Sequence, residues 1–137
     1  MTAGYSGTPL AKRLAIKAGH VVAVVDEPDT FRSNLDLGPG LVTFRTSLRG
    51  SIDVALLFFT ARRQLEKRLP VAARAIFPDG AVWVAWPKKA SKVPTDITED
   101  TVREIALPMG LVDNKVCAID EIWSGLRVVW RRENRKR

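Results

Sequence analysis

The chain predicts an α/β domain with a mostly parallel sheet, helices on its faces and a C-terminal antiparallel hairpin. Two observations carry this. From Asp53 to Phe59 the residues are nearly all apolar. From Ala61 the period becomes helical, with Leu65, Leu69, Ala72, Ala73 and Ile76 on one face, and Ala81 to Trp86 is again an apolar run. A strand, a crossing helix and a second buried strand make a right-handed βαβ unit with parallel strands. The second observation is a pair of β-type segments, Lys115 to Glu121 and Leu126 to Arg131, separated by only Ile122 to Gly125. So short a connection joins antiparallel neighbours.

The remaining elements follow in chain order. Val21 to Val25 is a valine and alanine run suited to burial on both faces, stopped by Asp26, Glu27 and Pro28. Asp29 to Leu37 is weakly helical, and Gly38, Pro39 and Gly40 force a turn before a short strand at Leu41 to Arg45. Thr60 stands where an N-cap of the crossing helix is expected, and Pro70 predicts a kink or restart within that helix. Ala90 to Asp96 reads as a loop. Thr98, followed by Glu99 and Asp100, starts a second helix with Val102, Ile105, Ala106 and Met109 on its buried face, and Pro108 and Gly110 end it.

At 137 residues the chain fits one domain, expected over residues 1–132, with a basic tail at 133–137. Its 46% hydrophobic and 27% charged residues are those of an ordinary globular protein. No apolar run reaches the roughly 18 to 20 residues of a membrane span. The start MTAGYSGTPLAKRL lacks the apolar core of a signal peptide, so a cytoplasmic location is expected. Of the net charge of +7, Arg127, Arg131, Arg132, Arg135, Lys136 and Arg137 against Glu133 supply +5. The tail therefore reads as a solvated end with weak, non-specific attraction for nucleic acid. Removing Asn134 to Arg137 is expected to leave the fold intact, since none is apolar.

Candidate site residues gather after the strand ends, where open α/β sheets keep their ligand crevice. The run Gly80 to Lys89, GAVWVAWPKK, delivers Lys88 and Lys89 to such an end. Asp26 and Thr60 follow two other strands, and Thr98 opens a helix whose amino end offers unpaired donors. Trp83 and Trp86 are three apart and point to opposite faces; Trp86 is grouped with the lysines as a ligand-binding residue. Two solvated loop lysines are the first reading there, and an anionic small molecule is the ligand expected under the alternative. The single histidine, His20, precedes the first strand at the opposite end and reads as structural. The single cysteine, Cys117, reads as a buried thiol, and one His with one Cys excludes a zinc site of the usual type. Asp120 and Glu121 are strand neighbours facing opposite sides, so hydrogen bonding to Trp123 or Ser124 is preferred to acid–base work.

The element order resembles the C-terminal half of Rossmann-like methyltransferases. The resemblance implies a glycine-rich loop directly after the first strand for the methyl donor, and Asp26 to Leu37 contains no glycine. A degenerate cofactor site is the expectation, with no cofactor and no binding of S-adenosylmethionine (SAM). At residue level YSGTPLAKRL, WPKKAS, TDITED and GLVDNKVCAIDEIWSGL resemble a small bacterial family of uncharacterised proteins. Ala15 and Ala18 depart from its glycine and proline, and Pro108 interrupts the second helix. The expected function is a non-catalytic regulatory or interaction protein with a protein partner. The alternatives are a nucleic-acid-associated protein using the tail, and a binder of, or enzyme acting on, an anionic small molecule near Lys88.

Overall fold

The computed structural model describes residues 8–136. A six-stranded sheet in the order β2-β1-β3-β4-β6-β5 forms its centre. Strands β1 (Val21–Val25), β2 (Thr43–Arg45), β3 (Val54–Phe58) and β4 (Ala81–Pro87) are mutually parallel. Strands β5 (Leu111–Ala118) and β6 (Trp123–Trp130) form the antiparallel hairpin, and β6 pairs with β4. Helices α1 (Leu10–Arg13), α2 (Phe31–Leu35), α3 (Arg62–Ile76) and α4 (Glu99–Ala106) complete the fold. Among the described residues no helix is long and apolar enough to cross a membrane.

Strand alternation divides the core into two layers. Ala23, Ala55, Leu57, Val84 and Trp86 face α3 and α4, packing on Leu65, Leu69 and Val102. Val22, Val24, Leu56, Phe58 and Trp83 face α1 and α2, packing on Leu10, Leu14, Phe31 and Leu35. Both faces of the central strands are covered, which is why they read as unbroken apolar runs. Trp83 and Trp86 do face opposite sides, yet both are core residues. The indole of Trp83 donates to the Leu14 carbonyl at 2.9 Å, tying α1 to the sheet.

Four local expectations change. Thr60 does not cap α3. The N-cap position is Ala61, whose amide donates to Gln64 Oε1, and the Arg62 amide donates to Asp96 Oδ1 at 2.6 Å from a loop 34 residues away. A remote carboxylate at the positive helix end outcompetes the neighbouring hydroxyl. Helix α3 also runs through Pro70 without a restart, because Leu65, Leu69, Ala72 and Ile76 on either side are held against the sheet. The hairpin lies several residues earlier than predicted. Gly125 sits inside β6 because a Cβ there would stand 3.1 Å from both Ile119 Cδ1 and Trp83 Cε3, so it is a packing glycine. The turn is made by Asp120, whose Oδ1 accepts from the amides of Ile122 and Trp123 at 2.8 and 2.7 Å. Lastly, Ala90 to Asp96 is not wholly loop, since Lys89–Ser91 forms a single 3₁₀ turn.

Helix α4 starts as expected. Thr98 Oγ1 accepts from the Thr101 amide at 3.3 Å, and the Thr98 amide donates to Thr101 Oγ1 at 3.0 Å. Arg103 on this helix is held by Glu99 and Asp113, which push its pKa further up, and also meets Asp100. The tail folds back in part: Asn134 Nδ2 donates to Gly110 O at 3.1 Å and Arg135 Nε to Trp130 O at 2.8 Å. Tyr5, Ser6 and Gly7 of the YSGTPL string lie outside the described residues.

Candidate functional site

The chain leaves β1 for β2 on one side and later returns to place β3 on the other, so the strand order reverses between β1 and β3. In open α/β sheets the ligand crevice lies outside the carboxyl ends of the strands at such a reversal. A cleft of about 630 Å³ is found there, between the ends of β1 and β3 and the first turns of α3. Asp26, Glu27, Thr46, Phe59, Lys67 and Arg68 line it, and Val25 adds an apolar wall. Its volume lies within the range of small-molecule sites.

Asp26 is the one predicted site residue among those that line this cleft. It has φ 57°, the left-handed conformation usually reserved for glycine. Aspartate tolerates that region because its short polar side chain can hydrogen-bond locally. The tight turn after β1 is therefore made without glycine, which removes the ground on which the site was read as degenerate. The Asp26 carboxylate is exposed and has no hydrogen bond or ion pair among the described residues. Glu27 beside it is held in a two-point contact by Arg32 Nε at 2.9 and 3.0 Å.

The other predicted residues are carried elsewhere. The chain after β4 turns toward the hairpin, and the Lys88 amide donates to Ile122 O at 2.7 Å. With β3 between them, β1 and β4 are about 10 Å apart, so Lys88 and Lys89 do not line the cleft. Trp86 is 7% exposed within the α3 and α4 layer. The Thr60 carbonyl accepts from Thr95 Oγ1 at 2.6 Å and from the Asp96 amide at 3.3 Å, so residues 95–96 close over the end of β3. The Thr98 hydroxyl is committed to its cap.

Sequence reasoning missed the contribution of α3. Lys67 and Arg68 lie off its apolar face, yet both line the cleft, and Arg68 Nε is buried with no hydrogen-bond partner among the described residues. A buried, unpaired donor is costly unless something accepts from it. Their place two turns into the helix that follows a central strand was the available signal. Cys117 is buried, with Arg13 donating to its sulfur at 3.4 Å. His20 stands at the amino end of β1, away from this cleft. No group of three or more metal-binding side chains occurs among the described residues.

Among solved structures, a SAM-dependent methyltransferase from Aquifex aeolicus matches with TM-score 0.60 and 15% identity, over 87% of this chain and 86% of that one. The fold is that of SAM-dependent methyltransferases. Magnesium protoporphyrin IX methyltransferase from Synechocystis PCC 6803, with bound SAM, matches with TM-score 0.59 and 13% identity, over 89% of this chain and 76% of that one. No protein-family model and no curated protein matches the chain. The likeness agrees with the methyltransferase-like topology expected from the element order. It also corrects the expected function: the scaffold is shared with cofactor-binding enzymes, so the non-catalytic reading, and with it the nucleic-acid and Lys88-centred alternatives, is set aside.

Proposed function

We propose that this chain is a methyltransferase that takes SAM in the cleft between the carboxyl ends of β1 and β3. The observation that carries the reading is the unpaired, buried Nε of Arg68 in a cleft at the point where the strand order reverses. When bound, SAM supplies an electrophilic methyl group on a positively charged sulfur. The residues present suit its other groups. Arg68 and Lys67 would hold its carboxylate, since a guanidinium matches the planar oxyanion. Asp26, which has no partner among the described residues, would hold its ammonium or its ribose hydroxyls. Val25 and Phe59 form the apolar wall on which the base would rest. Glu27, already paired with Arg32, keeps the turn after β1 in shape.

The test is calorimetric titration of the chain with S-adenosylhomocysteine, the product of methyl loss. Saturable binding is expected, with a matching rise in melting temperature. Arg68→Ala and Asp26→Ala should each weaken binding about tenfold or more, the scale of a lost charged hydrogen bond. No heat and no stabilisation, or full affinity in both variants, would refute the proposal.

A further inference from the structure

A second cleft, of about 460 Å³, opens at the amino end of the sheet, on the side away from the first. Lys17, His20, Asp53, Asp79, Gly80 and Arg127 are among its lining. Arg127 projects from β6 opposite Trp83, is partly buried, and makes no ion pair or side-chain hydrogen bond among the described residues. Its Nε is buried without an acceptor. Burial, and then repulsion from Arg135, lowers its pKa, so the protein itself does little to stabilise this charge. A desolvated cation without a counter-charge is an expensive feature, and it is relieved by an anion brought from outside.

We infer that this cleft binds a small carboxylate, its planar head engaged by the fork of Arg127. Two further donors converge. His20 Nδ1 accepts from the Lys17 amide at 3.1 Å, so the neutral ring carries its proton on Nε2 and can donate from there. The Lys17 side chain is exposed at the same rim. Charge selects the class of ligand. With His20 neutral, Lys17 and Arg127 balance Asp53 and Asp79, and Asp53 Oδ2 is already held by the Val21 amide at 2.7 Å. The lining therefore sums to zero, which suits a carboxylate whose charge is offset by a donor or ammonium group on the same ligand, whereas a phosphate dianion would meet two carboxylates with nothing to offset it. Asp79 is exposed and has no hydrogen bond or ion pair among the described residues, so it is placed to accept from a hydroxyl or ammonium group on the same ligand. This site is independent of the proposed methyl-donor cleft, which lies at the other end of the strands.

The experiment is a titration of the whole chain with sodium acetate at constant ionic strength, read by the Nε–H signals of the arginine side chains in nitrogen-15 NMR. The Arg127 signal should move saturably while that of exposed Arg74 does not. Arg127→Lys, which keeps charge and stem but loses the fork, should weaken the acetate response read at His20 about tenfold. Arg127→Met should abolish it. S-adenosylhomocysteine should leave the Arg127 signal unmoved, which keeps the two sites distinguishable. An Arg127 signal indifferent to acetate overturns the inference, as does one that moves in step with Arg74. Tighter binding of inorganic phosphate than of acetate overturns the carboxylate assignment. An acetate response that appears only in Asp79→Asn shows that Asp79 turns inward as the counter-ion, and overturns it too.

Discussion

Replacing Trp83 with phenylalanine removes a side-chain hydrogen bond that ties the end of α1 to the centre of the sheet, and its cost can be worked from the structure. Trp83 is fully buried, and its indole N–H donates to the Leu14 carbonyl at 2.9 Å, on a residue itself fully buried. Phenylalanine leaves that carbonyl without its donor, at about 1 to 3 kcal/mol. It also leaves an unfilled space where the pyrrole ring stood, adding about 1 to 2 kcal/mol as a fraction of a full aromatic truncation. The sum is about 2 to 5 kcal/mol. At about 2.1 cal/mol/K per residue, 137 residues give an unfolding entropy of about 0.3 kcal/mol/K, so the melting temperature should fall by about 7 to 17 °C. Trp86→Phe is the control, because Trp86 is also a core residue but its indole makes no hydrogen bond among the described residues. It should lose only the packing part. Thermal unfolding of both variants, followed by near-ultraviolet circular dichroism and calorimetry, separates the two contributions. Equal losses in both, or a Trp83→Phe loss under about 3 °C, would refute the role given to the bond.

Gly80→Ala should destabilise by about 3 kcal/mol or more, because its Cβ would stand 2.8 and 2.9 Å from the Asp53 and Ile52 carbonyl oxygens, and backbone cannot step aside as a side chain can. Urea unfolding midpoints measure it, and a near-neutral result would mean that the start of β4 is looser than described. Asp96→Ala removes the acceptor for the Arg62 amide and should cost about 1 kcal/mol by chemical denaturation, whereas Thr60→Ala should cost less, since its hydroxyl makes no hydrogen bond among the described residues. Deleting residues 134–137 should lower stability by about 1 to 2 kcal/mol through loss of the Asn134 and Arg135 hydrogen bonds while leaving the circular dichroism spectrum unchanged. Unfolding of the truncated chain at room temperature would show a larger structural role for the tail.

Much of this architecture was determined by sequence alone, because burial on both faces leaves a signature that needs no tertiary knowledge. Val21–Val25 coincides with its strand, and the βαβ unit around α3 and the cap at Thr98 follow from period and local chemistry. What tertiary structure decided is wherever a residue's partner is distant in the chain. Gly125 reads as a turn because its two neighbours, Trp83 and Ile119, are invisible locally; in the fold it is the gap into which they pack. Thr60 reads as a cap because Asp96 cannot be seen to arrive from the other side of a strand and a helix. The site divided on the same line. Strand ends placed Asp26, but which ends are neighbours depends on strand order, and that order separates Asp26 from Lys88 by a strand while bringing Arg68 to the cleft. Local propensity and burial are properties of a segment and can be read from it, whereas an unpaired charge becomes a site only through the surroundings that other segments bring.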